Sequence, residues 1–510
     1  MLGATDLALQ YTQRLGPPGQ LRDRHSCGAE TPELLSTHKG LSSTESAMWS
    51  TILFPSLPRA CRLPPMPQLK RLLGLRSAIL LVVGSVIGSG IFLKPLQISQ
   101  NLPSEGWILA AWAILGLVCL CGAFAYAELG AMFPEAGGQY AFIREAWGRF
   151  PAFLYGWTLM LVINSGTLAA LAVIFGKNIG VLFPSVQDHA TWVAVAMIAF
   201  LAMVNHVGTR AGAWLQDIST LAKIAALLAI AAGAFFFTGR PEVAAEVAGH
   251  VPPSDLLTGI VVTSVALFWT YEGWHQISFS AGEMKDPGKN LPRGLILGML
   301  LLIAIYTIVN AAYLAVIPLE EMRGLSADVE VPKLTIERFL GAGSGFVVVA
   351  LISLSVLGCS NPNLLSTPRA FYAMALDGQL PRSLLHIHPK YHTPTVAIWT
   401  QAAWSMAIVI LIADFHDITE FVVFASLLFY ALAVAGVYKL RKQRPDLARP
   451  YRCFLYPVTP AIFIAVVLFV DIRLLMQPEE RTNALYGLAI IAVGAAVALL
   501  RSQRSRPSRG

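Results

Sequence analysis

Twelve runs of mostly apolar residues, each about the 20 residues that a helix needs to cross a hydrocarbon core, recur along this chain. They cover 77–97, 107–132, 153–174, 191–207, 214–237 and 256–280, then 291–317, 343–375, 394–413, 421–438, 457–475 and 485–500. In a bilayer the backbone N–H and C=O groups find no water, so such runs must satisfy them internally, as helices. Charged residues are 13% of the 510 and hydrophobic ones 55%, where a soluble domain carries about 25% charged. The chain therefore reads as an all-α integral membrane protein with twelve transmembrane helices. The eighth run is too long for one simple crossing. Pro362 and Pro368 within it predict a kink and a cytoplasmic helical extension.

The formal charge of +7 matters through its placement. With the N-terminus inside, the cytoplasmic loops hold Arg144, Arg149, Arg210, Lys285, Lys289, Arg293, Arg369, Arg382, Lys390 and the cluster from Lys439 to Arg452. The opposite side holds fewer, several of them beside acids such as Glu320, Glu321 and Glu330. This asymmetry predicts that both termini are cytoplasmic. The basic residues read as topology determinants and neighbours of lipid headgroups, so the bilayer is a partner and nucleic acid is not.

Residues 1–66 are polar and rich in Pro, Ser and Gly, with no apolar run long enough for a signal-peptide core. They read as a disordered cytoplasmic extension, or as a start-site artefact with Met66 as the true initiator. Residues 67–502 form the twelve-helix domain and 503–510 a basic cytoplasmic tail. The six cysteines make no metal or redox spacing, and Cys119 and Cys121 read as core residues. His386, His388 and His392 have no carboxylate at ligand spacing, so no metal is expected. No HExxH, P-loop or nucleophile elbow is present, which leaves ATP drive, hydrolysis and any cofactor unsupported.

The first run, LLVVGSVIGSGIFLKP at 80–95, is interrupted by Gly84, Gly88, Ser89 and Gly90. An interior glycine costs a helix about 1 kcal/mol relative to alanine, so this spacing predicts a locally unwound segment or a tight small-residue packing face. Unwound backbone is tolerated in a membrane only where it is buried in protein or lines a cavity. The amides of Gly88, Ser89 and Gly90 would then be free to cradle a carboxylate. Five runs later, FWTYEGW at 268–274 is interrupted by Glu272 and Gly273. Two broken helices at matching positions of successive five-helix halves point to an inverted-repeat transporter with its site near the midplane, which favours the unwound reading. Lys223 lies deep in the fifth run, where a lysine costs about 3 kcal/mol on insertion scales. It reads as a functional residue, a tether to first-span and eighth-span carbonyls, or both.

Five segments, in this order, resemble the L-type amino acid transporter family of the amino acid, polyamine and organocation superfamily. They are VGSVIGSGIF, YAELGAMFPEAGGQYAFIREAWG, YEGWHQISFSAGEMKDPGKNLPRG, RAFYAMALDGQLPRSLLHIHPKYHTP and KLRKQRPDLARPYRCFLYPVTP. The resemblance spans 72–472 and implies the LeuT-like fold, a 5+5 inverted repeat with broken helices 1 and 6. It implies that the substrate carboxylate binds the backbone of Gly88, Ser89 and Gly90, and the α-ammonium the carbonyls of Val86, Trp269 and Glu272. Trp269 matches the family's gate. Lys223 falls where sodium-coupled relatives bind an ion, as a surrogate or a proton-responsive group. Many members have Gly or Asp at the position of Glu272, so this carboxylate could take a proton, repel acidic substrates or favour cationic ones. His275 replaces a frequent Asn and adds a second titratable group. The positions around Asn164, Ser360 and Asn361 are expected to set the choice of side chain.

The loop 175–190 has no cysteine, whereas the animal heterodimeric members have one there that pairs with a heavy chain. No disulfide-linked heavy chain is therefore expected, and the chain resembles stand-alone, prokaryotic-type members of the plasma membrane, which include both monomers and dimers. The function implied is alternating-access transport of neutral L-amino acids, by exchange or proton-linked uptake. A non-transporting sensor with the same site and a cationic amino acid or polyamine antiporter are the alternatives.

Overall fold

The computed structural model describes residues 71, 73–135, 137–236, 256–326, 329–341, 343–412 and 415–504. The expected N-terminal extension up to residue 66 and most of the basic tail lie outside these residues. Regular structure among them is helical, apart from one isolated backbone bridge between Leu73 and Met284. Among the described residues nine helices are long and apolar enough to cross a bilayer, and the pair Leu75–Val86 and Gly90–Asn101, bent by 47°, makes a tenth if taken as one span. The ninth apolar run folds as the 17-residue helix Thr395–Leu411, and the twelfth, Ala484–Leu500, lies within the 27-residue helix Pro478–Arg504.

The elements start and stop where local chemistry directs. Ser104 caps the second span, Glu105–Met132, by accepting the Trp107 N–H at 3.4 Å, and Glu105 sits in the first turn against the helix dipole. Pro287 opens the seventh span, Pro287–Val316, at a position whose N–H would be unpaired in any case. The eighth run divides into Gly345–Leu365 and Pro368–Leu376, the break at Ser366 and Thr367 falling just before Pro368, while Pro362 lies within the first of the two helices. Two departures concern the site directly. The sixth run is α-helical only over Leu256–Thr270; after a turn in which Gly273 has φ +112°, it continues as a 3₁₀ helix, Trp274–Glu283. The third run contains a π-helical turn, Leu159–Ile163, between Arg149–Thr158 and Asn164–Leu182. The Ser165 hydroxyl donates to the Met160 carbonyl inside it, at 2.6 Å.

The two breaks are pressed together. A Cβ on Gly90 would lie 2.7 Å from Thr270 Cα, and one on Gly273 would lie 2.7 Å from the Ser85 carbonyl oxygen. Only glycine lets the backbones approach this closely. Glu128 of the second span, almost fully buried, binds Arg441 at 2.6 Å and accepts the Cys453 N–H at 2.6 Å, which ties the second span to the tenth and to the following loop. That structural role accounts for one of the few acids within the spans.

The Leu73 N–H donates to the Glu283 carbonyl (3.0 Å) and the Lys285 N–H to the Leu73 carbonyl (2.8 Å), joining the start of the first span to the segment after the sixth. Beside this clasp, Arg369 and Glu283 form a 2.7 Å ion pair with side chains only 3% and 4% exposed. Removing one partner of such a pair strands a buried charge. Arg369→Ala is therefore expected to cost about 3–5 kcal/mol, while Arg369→Met combined with Glu283→Leu recovers most of it. Thermal unfolding of the protein in detergent would test this; equal melting of the single variant and the wild type would count against a coupled pair.

Candidate functional site

Val86, Gly88, Ser89, Gly90, Trp269 and Glu272, drawn from the two breaks, line one cavity. Gly273 and Gln276 extend its wall along the sixth span, Thr167 and Leu171 enter from the third, and Cys359 and Asn363 from the eighth. The first span leaves the helix at Ile87, whose ψ of 88° points the following amides away from the Leu75–Val86 ladder. Among the described residues the N–H groups of Gly88, Ser89 and Gly90 donate to no carbonyl, because they open the Gly90–Asn101 helix. Ser89 is 1% exposed, and its hydroxyl has no hydrogen-bond partner among the described residues. Free amides, an unpaired hydroxyl and the positive end of a helix dipole are together the kind of donor set that can hold an anion.

The carbonyls on the opposite side are partly engaged. Val86 O accepts the Tyr306 hydroxyl at 3.0 Å, and Trp269 O accepts the Glu272 N–H at 3.1 Å. A carbonyl oxygen carries two lone pairs, so one such contact does not by itself exhaust it.

Lys223 is 2% exposed, and its Nζ donates to Gly84 O at 3.0 Å and Ile87 O at 2.8 Å. Ser355 of the eighth span also donates to Ile87 O, at 3.1 Å. Unwinding the first span orphans these carbonyls, and the ammonium satisfies them. Glu272 and His275 meet at Tyr430 of the tenth span. The phenol donates to Glu272 Oε1 in a short hydrogen bond and lies 2.9 Å from His275 Nδ1. A phenol has one hydrogen; given to Glu272, it leaves His275 Nδ1–H to donate to the Tyr430 oxygen. His275 itself is not among the cavity's lining residues.

Asn164, Ser360 and Asn361 do not line the cavity. Asn164 donates to Asn363 O (3.1 Å) and accepts from Thr367 (3.0 Å), Ser360 donates back to Val356 O (2.8 Å), and Asn361 joins Gly212 and Asn205. They bind the third, fourth, fifth and eighth spans to one another. Thr167, Leu171, Cys359 and Asn363 take the places expected for them. Asn164 and Thr167 share a face of the helix Asn164–Leu182, and the cavity meets that face about one turn further along, a depth that periodicity does not fix. Among the described residues no group of His, Cys, Asp and Glu is arranged to hold a metal, and Cys119, Cys121, Cys359 and Cys453 are free thiols.

The sequence model of one family, described as amino acid permease, matches residues 73–497. The serine/threonine exchanger SteT of Bacillus subtilis (strain 168) is 32% identical over 404 residues, which are 79% of this chain and 90% of that protein. The b(0,+)-type amino acid transporter 1 of Mus musculus is 29% identical over 432 residues, 84% of this chain and 87% of its own. The large neutral amino acids transporter small subunit 2 of Mus musculus is 31% identical over 445 residues, 85% and 81% of the two chains.

Proposed function

The chain belongs to the amino acid permease family, and from that membership we infer that it is a secondary transporter carrying L-amino acids across the membrane by alternating access. It is a multi-pass membrane protein with the inverted-repeat fold of that family, and a transporter rather than an enzyme. The transport mode is exchange, in keeping with a relative that is an exchanger by name. Neutral side chains are the proposed class, since the names of two relatives specify serine and threonine or large neutral amino acids.

The observation that carries this reading is the meeting of the two helix breaks across one cavity. In our reading the amides of Gly88, Ser89 and Gly90 take the substrate carboxylate, and the carbonyls of Val86, Trp269 and Glu272 take its ammonium. Backbone groups thus recognise what all amino acids share and leave side chains to choose among them. Trp269 also lines a second cavity with Lys94, Gln97, Thr419 and Gln477, so it stands between the two cavities, as a gate must. The ammonium of Lys223 serves as a fixed stand-in for a coupling cation. We further propose that the chain works without a disulfide-linked heavy chain, in the plasma membrane, with both termini cytoplasmic.

Proton-linked uptake has one specific observation in its favour, the Glu272–Tyr430–His275 chain beside the cavity. Purified protein in liposomes should take up labelled neutral L-amino acids, and Ser89→Leu, which fills the carboxylate cradle, should remove that uptake. A Ser89→Leu protein transporting at the wild-type rate would dismiss this cavity as the substrate site.

A further inference from the structure

Gln276 follows the sixth-span break on the 3₁₀ helix Trp274–Glu283, lines the cavity and is 3% exposed. Its amide has a fixed direction. Asn363 Nδ2 donates to the backbone carbonyl of Cys359 at 3.2 Å, and a carbonyl only accepts, so Asn363 Oδ1 must face Gln276. Oδ1 is an acceptor, so the Gln276 atom opposite it, at 3.2 Å, must be Nε2. Gln276 Oε1 then lies on the other side of the amide, buried and accepting from nothing among the described residues. The Asn363 backbone carbonyl accepts from both Asn164 and Gln401, which holds this arrangement between the third, eighth and ninth spans. Thr167, also on the cavity wall, gives its hydrogen to Ile163 O at 2.7 Å and so offers the cavity only oxygen lone pairs. The Cys359 thiol is directed at Val356 O, at 3.3 Å.

A buried acceptor without a donor costs free energy, and a ligand that brings the donor recovers it. We propose that Gln276 is a specificity-determining residue, whose Oε1 accepts a hydrogen bond from the substrate side chain, so that the transporter favours neutral amino acids carrying a side-chain hydroxyl or amide over hydrocarbon isosteres. This inference rests on the transport reading of the same cavity and names the class of side chain the cavity takes. A site built to hydrogen-bond a hydroxyl discriminates against the analogue lacking it, because that analogue leaves the site's own polar atom unpaired.

Threonine and valine match in shape and differ in that one donor, so competition by each against uptake of labelled L-alanine into proteoliposomes reads the effect directly. Threonine is expected to compete about tenfold more tightly than valine against the wild type. In Gln276→Met, which keeps length without an acceptor, the ratio should fall to about one. Equal competition by threonine and valine in the wild type would overturn the inference whether or not the variant folds, and so would a threonine preference retained in Gln276→Met. Absence of any amino acid uptake by the wild type would instead overturn the transport reading itself.

Discussion

Lys223→Ala is expected to lower the initial rate of amino acid uptake by at least about 100-fold, with the protein still inserted in the membrane. The ammonium is the donor for Gly84 O and Ile87 O, two carbonyls that the broken first span cannot satisfy itself. Without the ammonium Gly84 O loses its donor and Ile87 O keeps only the Ser355 hydroxyl; a buried carbonyl left unpaired costs about 1–3 kcal/mol, and the bilayer supplies no water in compensation. The segment carrying Gly88, Ser89 and Gly90 would recoil or rewind. Arginine is no substitute, because Gly358 packs against the lysine stem: a Cβ there would lie 2.8 Å from Lys223 Cε. Uptake by Lys223→Ala and Lys223→Met, measured with and without sodium, checks the assignment. Partial, sodium-dependent recovery in the alanine variant would show that the ammonium holds a cation's place, while wild-type rates in both variants would contradict any role for it in transport.

Gly273→Ala should reduce uptake by more than about tenfold. The backbone at Gly273 has φ +112°, a conformation that L side chains rarely adopt, and the new methyl would lie 2.7 Å from Ser85 O and 3.0 Å from Ser85 C. Both neighbours are backbone, so relief comes only by moving the two breaks apart, which opens the cavity between them. The left-handed conformation adds about 1–2 kcal/mol. Gly341 is the control: it has φ +90° but open space around its Cβ position, away from the cavity. Gly341→Ala carries conformational strain alone and should leave the uptake rate unchanged. Similar losses in the two variants would mean that strain, not the approach of the two breaks, sets the effect.

Much of this geometry was legible in the sequence because membrane burial makes its exceptions conspicuous. Glycines at 84, 88 and 90 in an apolar run announce a break, Glu272 and Gly273 announce its counterpart, and a lysine at 223 can be afforded only where it has partners. The six residues expected to bind substrate do line one cavity. The side-chain wall was not legible. Asn164 and Thr167 are three residues apart on one face of the helix Asn164–Leu182, and periodicity alone does not say which depth along that face meets the cavity. The eighth span carries Cys359, Ser360, Asn361 and Asn363 in succession, and only its packed orientation decides that Cys359 and Asn363 face the cavity while Ser360 and Asn361 do not. Gln276 was hidden differently: a helical projection assumes 3.6 residues per turn, and this segment is 3₁₀.

The most direct test of the central claim, exchange of amino acids through the cavity between the two breaks, is counterflow. Purified protein would be reconstituted into liposomes, and uptake of a labelled neutral L-amino acid compared between vesicles preloaded with unlabelled amino acid and empty ones. The expected result is rapid uptake that requires preloading and is lost in Ser89→Leu. Equal uptake into empty and preloaded vesicles would contradict exchange and direct attention to the Glu272–Tyr430–His275 chain as a route for protons, and no uptake under either condition would contradict transport altogether.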